Sequence, residues 1–315
     1  MTDHSYTTEE VAKLLKVSKL TIYDLIKKGL LPSYRVGKQM RIDAADLESY
    51  KRSSMTAAGS SSEQAASVDL PHTGSPAASG SGSLVITGQE ISLDLLARYL
   101  ERENPAYRPL RSYAGSIAGL ISLIQGQSDI ASTHLLDAES GEYNLPYISK
   151  LLTGYDYMVI NLLKRKAGLY VQAGNPKSLL SWRDLEKPGL VLANREKGSG
   201  ARVLLDEQLR IHHIDRHSLQ GYEREETSHM GVASRISSGT ADVGVGTEKT
   251  ARLAGEVDFI PLIEERYDLV VLKTPQSTKW IPSLLGVIRS DAFQSELAAL
   301  QGYDLTLSGQ VLYET

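Results

Sequence analysis

The hydrophobic positions near the start of the chain recur at helical spacing in two short blocks. The first block, residues 11–15, follows Thr7 and Glu10, which are spaced as a helix-initiating capping box. Ser18 can cap the second block, and Gly29 is a typical residue at a helix C-terminus. Two short helices separated by a tight turn predict a helix-turn-helix.

The polar and glycine-rich segments that follow divide the chain. Two short runs around residues 37–38 predict a β-hairpin, or wing, and Asp43 can cap a third helix. Residues 55–82 are mostly Ala, Ser and Gly, so they cannot form a hydrophobic core. We therefore predict a winged helix-turn-helix domain over residues 1–54, a flexible linker over 55–82 and a second domain over 83–315.

The second domain alternates short apolar runs with amphipathic segments of helical period, which predicts an α/β fold. The runs predict strands at residues 84–87, 110–114, 129–132, 157–163, 169–172, 189–193, 242–245, 259–262 and 267–272. The amphipathic segments predict helices after Gly88, after Gly115, over 178–187, after Gly200 and near 229–237. In an open α/β sheet, ligands bind outside the carboxyl ends of the strands.

Hydroxyl residues stand beside glycines where several of these strands end or helices begin. The pairs are Thr87-Gly88, Gly115-Ser116, Ser199-Gly200 and Gly246-Thr247. A glycine allows close approach of a ligand, and the free N–H groups at a helix start favour an anion. The candidate ligand-binding residues are Thr87, Gly88, Gly115, Ser116, Arg195, Gly198, Ser199, Gly200, Thr247 and Tyr267.

Composition removes several classes of function. The chain has no cysteine, which excludes disulfides, thiolate catalysis and cysteine-ligated metal sites. It has no apolar run of about 18 residues, so we expect no membrane span. The N-terminus lacks the features of a secretory signal, so we expect a cytoplasmic protein. We expect no metal-cation site, because the histidines at 212, 213 and 217 fit a surface loop.

The formal net charge of −4 conceals an asymmetry along the chain. Residues 1–54 contain ten Lys or Arg and seven Asp or Glu, whereas residues 55–82 contain only two acidic residues. The remaining residues therefore carry a net charge of −5. A basic head on an acidic body indicates that only the head contacts nucleic acid.

The first segment resembles the excisionase/MerR-type winged helix-turn-helix family. The resemblance rests on the order of helix, turn, helix, basic wing and "IDAADL" over residues 5–53. It implies that the second helix enters the major groove of double-stranded DNA and that the wing lies on the backbone. By this resemblance, Ser18, Lys19, Thr21 and Tyr23 face bases or phosphates, and Lys27, Arg35, Lys38 and Arg41 hold phosphates.

The rest of the chain resembles the type II periplasmic-binding-protein-like domain of cytoplasmic regulators. Three stretches carry this resemblance, "YAGSIAGLISLIQGQSDIAS", "GLVLANREKGSGARVLLDEQL" and "ADVGVGTEKTARLAGEVDFIPL", within a match over residues 84–310. It implies two α/β lobes with a small anion between them, with molybdate or tungstate as the first candidates and a molybdenum-cofactor-related ligand as another. It implies no cofactor, and among the candidates it favours Ser116, Ser199 and the amides nearby.

Together these features favour a non-enzymatic regulator that binds DNA as a homodimer and responds to a small oxyanion. An excisionase-like architectural DNA-binding protein, whose second domain only dimerises, remains an alternative. A cytoplasmic oxyanion carrier or molybdenum-cofactor accessory protein is another. A hydrolase triad of Asp242, a histidine and Ser116 or Ser199 is disfavoured, because the sequence has no nucleophile-elbow motif. His134 and His229 are expected to orient a ligand by hydrogen bonds.

Overall fold

The structure, a computed structural model, describes residues 5–15, 19, 22, 26, 31–36, 39–44, 46, 47 and 82–315. The chain divides into two units, Met1–Ser75 and Pro76–Thr315. The predicted linker lies outside the described residues except for Gly82, which is the first residue of a strand.

The N-terminal unit contains a small antiparallel sheet and the predicted first helix. Its elements are β1 (Ser5–Thr7), α1 (Thr8–Leu15), β2 (Tyr34–Val36) and β3 (Gln39–Asp43). The sheet order is β1-β3-β2, and β2 pairs with β3 as the predicted wing hairpin. The Thr7 N–H donates to Glu10 Oε2 at 2.7 Å and the Glu10 N–H donates to Thr7 Oγ1 at 3.3 Å, which confirms the capping box. Strand β1 was not predicted.

The core of this unit comes from residues of both predicted helices and the wing. Val11, Ile22 and Ile42 are fully buried, with Leu31 and Leu47 nearly so. Val11 belongs to α1, and the described residues 19, 22 and 26 are helical. The apolar spacing of the first two blocks is therefore explained by a shared core.

The C-terminal unit is an α/β structure, as predicted. Its strands are β4 (Gly82–Thr87), β5 (Tyr107–Ser112), β6 (Ile130–Thr133), β7 (Tyr157–Gln172), β8 (Leu192–Arg195), β9 (Glu225–Glu226), β10 (Val243–Thr247), β11 (Val257–Leu272), β12 (Tyr303–Asp304) and β13 (Val311–Glu314). Its α-helices are α2 (Ser92–Glu103), α3 (Ser116–Ile124), α4 (Leu145–Leu151), α5 (Gly200–Ile211), α6 (His229–Ser237), α7 (Glu248–Ala254), α8 (Ile281–Arg289) and α9 (Asp291–Ala299). Short 3₁₀ helices span Trp182–Glu186, Arg216–Ser218 and Ser277–Lys279. None of the described helices is long and apolar enough to cross a membrane.

A single sheet joins two blocks of parallel strands through an antiparallel pair. The order is β5-β4-β6-β11-β7-β10-β8-β9, with β12 and β13 also paired to β7. Strands β5, β4 and β6 are parallel, as are β10, β8 and β9. Strands β7 and β11 run antiparallel between these blocks. Each parallel block with its helices forms one lobe, as the fold class predicted.

The two central strands are longer than the sequence predicted. Strands β7 and β11 each contain 16 residues. The sequence predicted two separate strands in each segment, and that interpretation is wrong. The charged residues 164–166, which seemed to interrupt a strand, pair with residues 264–266 where both strands pass between lobes. Arg165 of this charged segment lines a cavity between the lobes.

Two smaller predictions also fail at their boundaries. The predicted helix over 178–187 is only a 3₁₀ helix over Trp182–Glu186, because Ser178 has φ of 51° and Pro188 disfavours helix at Lys187. The predicted strand at 110–114 begins earlier, at Tyr107, because parallel pairing with β4 sets its register.

Each lobe is packed on both faces of the sheet. In the first lobe, Ile160 and Leu162 lie in one core and Val159 lies in the other, as alternation along β7 requires. In the second lobe, Leu169 likewise lies in one core and Tyr170 in the other. Each lobe therefore has two hydrophobic cores, one on each face of the sheet, and the central strands connect the lobes.

Substitution of Gly168 tests whether the stability of the protein requires the close approach of β7 and β11. A Cβ at Gly168 would lie 2.0 Å from the backbone oxygen of Ile260, so the strands would have to separate. We expect Gly168→Ala to destabilise the protein by about 1–3 kcal/mol in urea unfolding, the usual cost of overpacking. The matched control is Gly286→Ala, because an added Cβ there meets nothing within 4 Å. The control removes a helix glycine and should be neutral or stabilising by up to about 1 kcal/mol. Equal stability of both variants would contradict the tight strand pairing.

Candidate functional site

A cavity of about 510 Å³ lies between the two lobes of the C-terminal unit. The first lobe contributes residues at the starts of α2 and α3, and the second contributes residues at the starts of α5, α6 and α7. Seven of the candidate ligand-binding residues line it: Gly115, Ser116, Arg195, Ser199, Gly200, Thr247 and Tyr267. The structure therefore brings together most of the turns that the sequence singled out.

The other three candidates do not line this cavity, and each makes a packing contact or hydrogen bond within the protein. The Thr87 hydroxyl is buried and donates to Ser128 Oγ at 2.9 Å. Gly88 has φ of 151°, and a Cβ there would overlap the Ser132 hydroxyl. The Gly198 carbonyl accepts from the Ile117 N–H at 3.1 Å. Close packing accounts for these three residues without a ligand, and a ligand-binding role for them stays a prediction.

Contacts between the lobes close the cavity. Besides the Ile117–Gly198 bond, Arg195 donates to Gln89 Oε1 at 2.8 Å, and the Ala138 N–H donates to Glu207 Oε2 at 3.2 Å. Gly115 allows this approach, because a Cβ there would lie 3.0 Å from the Ser199 Cα. The lobes are therefore in a closed arrangement in this structure.

Three helices begin at the cavity wall. Helices α3, α5 and α6 place Ser116, Gly200 and His229 there, each the first residue of its helix. The N–H groups of these three residues have no hydrogen-bond acceptor within residues 82–315. The first N–H groups of a helix have no partner inside it, and the helix dipole is positive at this end. The cavity is therefore lined by the N-terminal residues of three helices, from both lobes.

The serine hydroxyls at these helix starts differ in their hydrogen bonds. Ser199 Oγ caps α5 by accepting from the Arg202 N–H at 3.3 Å, and its proton goes to the Glu196 carbonyl at 2.9 Å. Ser116 Oγ accepts from the His134 N–H at 3.3 Å, and Ser228 Oγ accepts from the Gly231 N–H at 3.0 Å. Within residues 82–315, neither Ser116 nor Ser228 donates its hydroxyl proton. These two serines can therefore donate to a ligand, whereas Ser199 offers one only its neighbouring amides.

The two arginines of the cavity are already paired with carboxylates. Arg165 lies between Glu90 and Glu265, with both ion pairs almost completely buried. Arg165 holds the pKa of the Glu265 carboxyl far below its usual range, against the opposing effect of burial. Arg195 is buried and pairs with Glu196 at 2.7 Å. The pairs leave these arginines little net charge to offer a ligand.

Lys249 is the exception among the cavity cations. Its ammonium donates to the Leu300 carbonyl at 3.2 Å and lies 4.5 Å from the centre of the Tyr303 ring. It forms no ion pair with any carboxylate in residues 82–315. Burial lowers the pKa of Lys249 from its usual value. An anionic ligand would supply the charge partner that this lysine lacks.

The two histidines of the cavity are held in different ways. His134 Nδ1 lies 3.2 Å from Glu265 Oε2, and a Cβ at Gly200 would overlap the His134 ring. The His229 Nδ1 is buried without a hydrogen-bond partner. Burial, aided by Arg195 and Arg165, lowers the pKa of His229 well below 6.5. His229 is thus neutral at pH 7 and can hydrogen-bond a ligand without adding charge.

Sequence reasoning did not select Ser228, Lys249 or Arg165 as site residues. Ser228 carried a usable signal, because it precedes a predicted helix and serine is a preferred N-cap. Lys249 follows the Gly246-Thr247 turn by two residues and could have been found from that position. No pattern in the sequence pointed to Arg165, because the sequence predicted two separate strands on either side of it.

Only part of the predicted DNA-contacting set is described. Arg41 lies in β3, where its guanidinium donates to the Ser5 carbonyl at 3.3 Å. Lys19 forms an ion pair with Glu9. Arg35 lies in β2, but its side chain is outside the described residues. The remaining predicted contacts also lie outside them: Ser18, Thr21, Tyr23, Lys27 and Lys38.

Comparison with known families and structures identifies both units. Residues 5–55 match the model of a helix-turn-helix domain, and residues 97–289 match that of a PBP superfamily domain. The protein YvgK of Bacillus subtilis is 47% identical over 99% of this chain and 98% of its own length.

Two solved structures show the likeness of the C-terminal unit. A putative phosphate ABC transporter substrate-binding protein from Clostridium perfringens, with bound phosphate, has a TM-score of 0.51 and 15% identity, over 70% of this chain and 98% of its own. The ancestral amino-acid-binding protein AncCDT-1 has a TM-score of 0.52 and 17% identity, over 70% and 95%. At these identities the likeness concerns the fold alone. From the matched models and the full-length relative, the chain belongs to the PBP superfamily and carries a helix-turn-helix domain before its PBP domain.

Proposed function

We propose that this protein is a DNA-binding regulator that responds to a small oxyanion bound between the lobes of its PBP domain. One observation supports the anion most: three helix N-termini present unpaired N–H groups to a single cavity. Such groups are a ready-made environment for phosphate, sulfate or similar ions. The helix-turn-helix domain supplies the DNA-binding part of the proposal.

The charges of the cavity balance, and its donors suit an anion. The carboxylates of Glu90, Glu196 and Glu265 face two arginines, and the one negative charge left over is balanced by Lys249. Lys249 adds a cation without a carboxylate partner. The hydroxyls of Ser116 and Ser228 add neutral donors, which suits an ion that must bind and leave.

Within the oxyanions, we propose molybdate and tungstate as the first candidates, because the resemblance of the sequence favours them. The fold itself does not select among ions, since the neighbour from Clostridium perfringens holds phosphate. A tetrahedral ion can accept hydrogen bonds from several directions at once, which matches three converging helices. Sulfate and phosphate are therefore the natural comparisons.

Regulation requires that the ligand change the arrangement of the two lobes. The bonds from Ile117 to Gly198 and from Arg195 to Gln89 form only when the lobes are close. An anion that bridges α3 and α5 would favour this closed arrangement, because it binds donors from both lobes. A ligand shifts such an equilibrium by its differential affinity for the two states. We propose that closure changes how two copies of the chain present their DNA-binding domains, as a homodimer on a two-part site.

A hydrolase is not supported. Neither Ser116 Oγ nor Ser199 Oγ is hydrogen-bonded to a histidine ring within residues 82–315. Asp242 instead accepts from the Val191 N–H at 2.9 Å. Within residues 82–315, no hydrogen bond between a histidine ring and either serine is thus present to activate a nucleophile.

The anion site is tested by comparing two serines. Ser116→Ala removes a hydroxyl free to donate to the ligand, and a hydrogen bond to a charged group is worth about 1.5–3 kcal/mol. We expect affinity to fall by roughly ten- to a hundredfold in isothermal titration of the full chain with molybdate, tungstate, sulfate and phosphate. The matched change Ser199→Ala removes a capping hydroxyl, so it should lower stability by about 1 kcal/mol and affect affinity less. Unchanged affinity in Ser116→Ala would place the anion elsewhere.

The regulatory function is tested by DNA binding with and without the anion. We expect the tightest-binding ion of that titration to change the DNA affinity of the full chain. The affinity is measured by fluorescence anisotropy on a labelled duplex from the DNA upstream of its own gene. In Ser116→Ala the change should require a correspondingly higher ion concentration. Tight ion binding without any effect on DNA would favour the carrier or accessory protein instead. DNA bending without any ion binding would favour the architectural protein.

The wing is tested by salt dependence. If Arg41 holds a phosphate, Arg41→Ala should weaken binding to all DNA sequences and reduce the slope of log K against log salt by roughly one. Lys177→Ala removes the same charge from an exposed position in the C-terminal unit and should leave the slope unchanged. An unchanged slope in Arg41→Ala would remove this arginine from the DNA interface.

A further inference from the structure

The mouth of the cavity carries exposed apolar side chains from both lobes. Ile91 and Tyr113 come from the first lobe, and Met230 and Leu253 come from the second. Their exposed fractions are 46%, 68%, 44% and 66%. Exposed apolar side chains that surround one opening are typical of a binding surface, whereas exposed apolar residues scattered singly need no explanation.

The volume of the cavity exceeds what a free oxyanion needs. An ion such as molybdate occupies roughly the space of two or three water molecules, at about 30 Å³ each. The cavity, at about 510 Å³, instead falls in the range of roughly 300–1,000 Å³ that is typical for organic ligands. We call the part of the cavity lined by the helix starts its floor; with an oxyanion there, the cavity keeps room for a larger group beside the exposed apolar side chains.

The two regions have complementary chemistry. The floor offers N–H groups, the Ser116 and Ser228 hydroxyls and Lys249. The mouth offers one aromatic ring and three aliphatic or thioether side chains, and Arg111 lies 5.1 Å from the centre of the Tyr113 ring. A ligand that uses both regions has an anionic end and a flat, apolar end.

We propose that, besides free oxyanions, the cavity takes an effector that carries its oxyanion group on a flat, apolar organic moiety, with the oxyanion on the floor and the moiety between Tyr113, Met230 and Leu253. This inference rests on the proposed anion site and specifies the class of ligand that the site takes. A free oxyanion fills only the floor, and burial of the organic moiety adds the apolar contribution.

The probes are phenyl phosphate, inorganic phosphate, molybdate and phenol, each titrated calorimetrically into the full chain. Phenyl phosphate should bind at least tenfold more tightly than inorganic phosphate or molybdate, and phenol should bind weakly because it lacks the anion. Equal affinity for phenyl phosphate and the free ions would overturn the inference and leave the anion site standing. If none of the three anions binds, the proposed anion site fails, and this inference fails with it.

A matched pair of leucines locates the organic moiety. Leu253 at the mouth and Leu180 away from the cavity are both 66% exposed. Leu253→Ser should lose most of the advantage of phenyl phosphate over inorganic phosphate, while Leu180→Ser keeps it. Inorganic phosphate should bind both variants as it binds the wild type.

Sedimentation of the same variants separates a ligand from a second copy of the chain at the mouth. We expect Leu253→Ser to sediment like the wild type. If Leu253→Ser instead dissociates a dimer and retains the phenyl phosphate advantage, the mouth is a subunit interface and the proposal is overturned.

Discussion

The long antiparallel pairing of β7 with β11 is the constraint on which the rest of the C-terminal unit depends. Each strand contributes one half to each lobe, so the two parallel blocks share one sheet. Because the pairing is continuous through residues 164–166, the lobes cannot separate without bending these two strands. Irregular register at residues 261–263 and 267–268 lies on either side of the crossing. Such irregularities bend strands locally, and they border the segment that must flex when the lobes move.

The same crossing fixes the charges beneath the cavity. Arg165 sits in the middle of β7 and Glu265 is its register partner in β11, while Glu90 reaches the pair from the start of the first lobe. Buried charges are costly unless paired, so removing one partner would leave an uncompensated ion. Two carboxylates face one guanidinium here, so this cluster offers a ligand no positive charge. In the proposed anion site, recognition would therefore rest on N–H dipoles, hydroxyls and Lys249.

Closure of the lobes is tied to the residues that would hold the ligand. Gly115 and Gly198 let the starts of α3 and α5 approach each other, and Ser116 and Gly200 stand one or two residues from these contacts. A ligand bound at either helix start is thus near both lobes at once. The proposed response to ligand needs only this proximity, because binding energy gained in the closed arrangement shifts the population towards it.

Local sequence chemistry determined a large part of this protein. The capping box of Thr7 and Glu10, the wing hairpin, the α/β alternation and the turns at Ser116 and Ser199 are all visible in the sequence. These features depend on neighbours within a few residues, so patterning and capping rules suffice to find them. The family comparison agrees with the two kinds of domain that these patterns indicated.

Only the tertiary structure decided which of these turns meet. Thr87 and Gly198 looked equivalent to Ser116 in sequence. In the structure, however, the Thr87 hydroxyl and the Gly198 carbonyl form hydrogen bonds within the protein. The Ser199 hydroxyl is likewise turned to its own helix cap. Residues 164–166 looked like a break between strands because their charges are unusual in a buried sheet. Their partners lie about a hundred residues away in β11. Pairing at that separation is set by the packing of the two lobes, and no local pattern in the sequence records it.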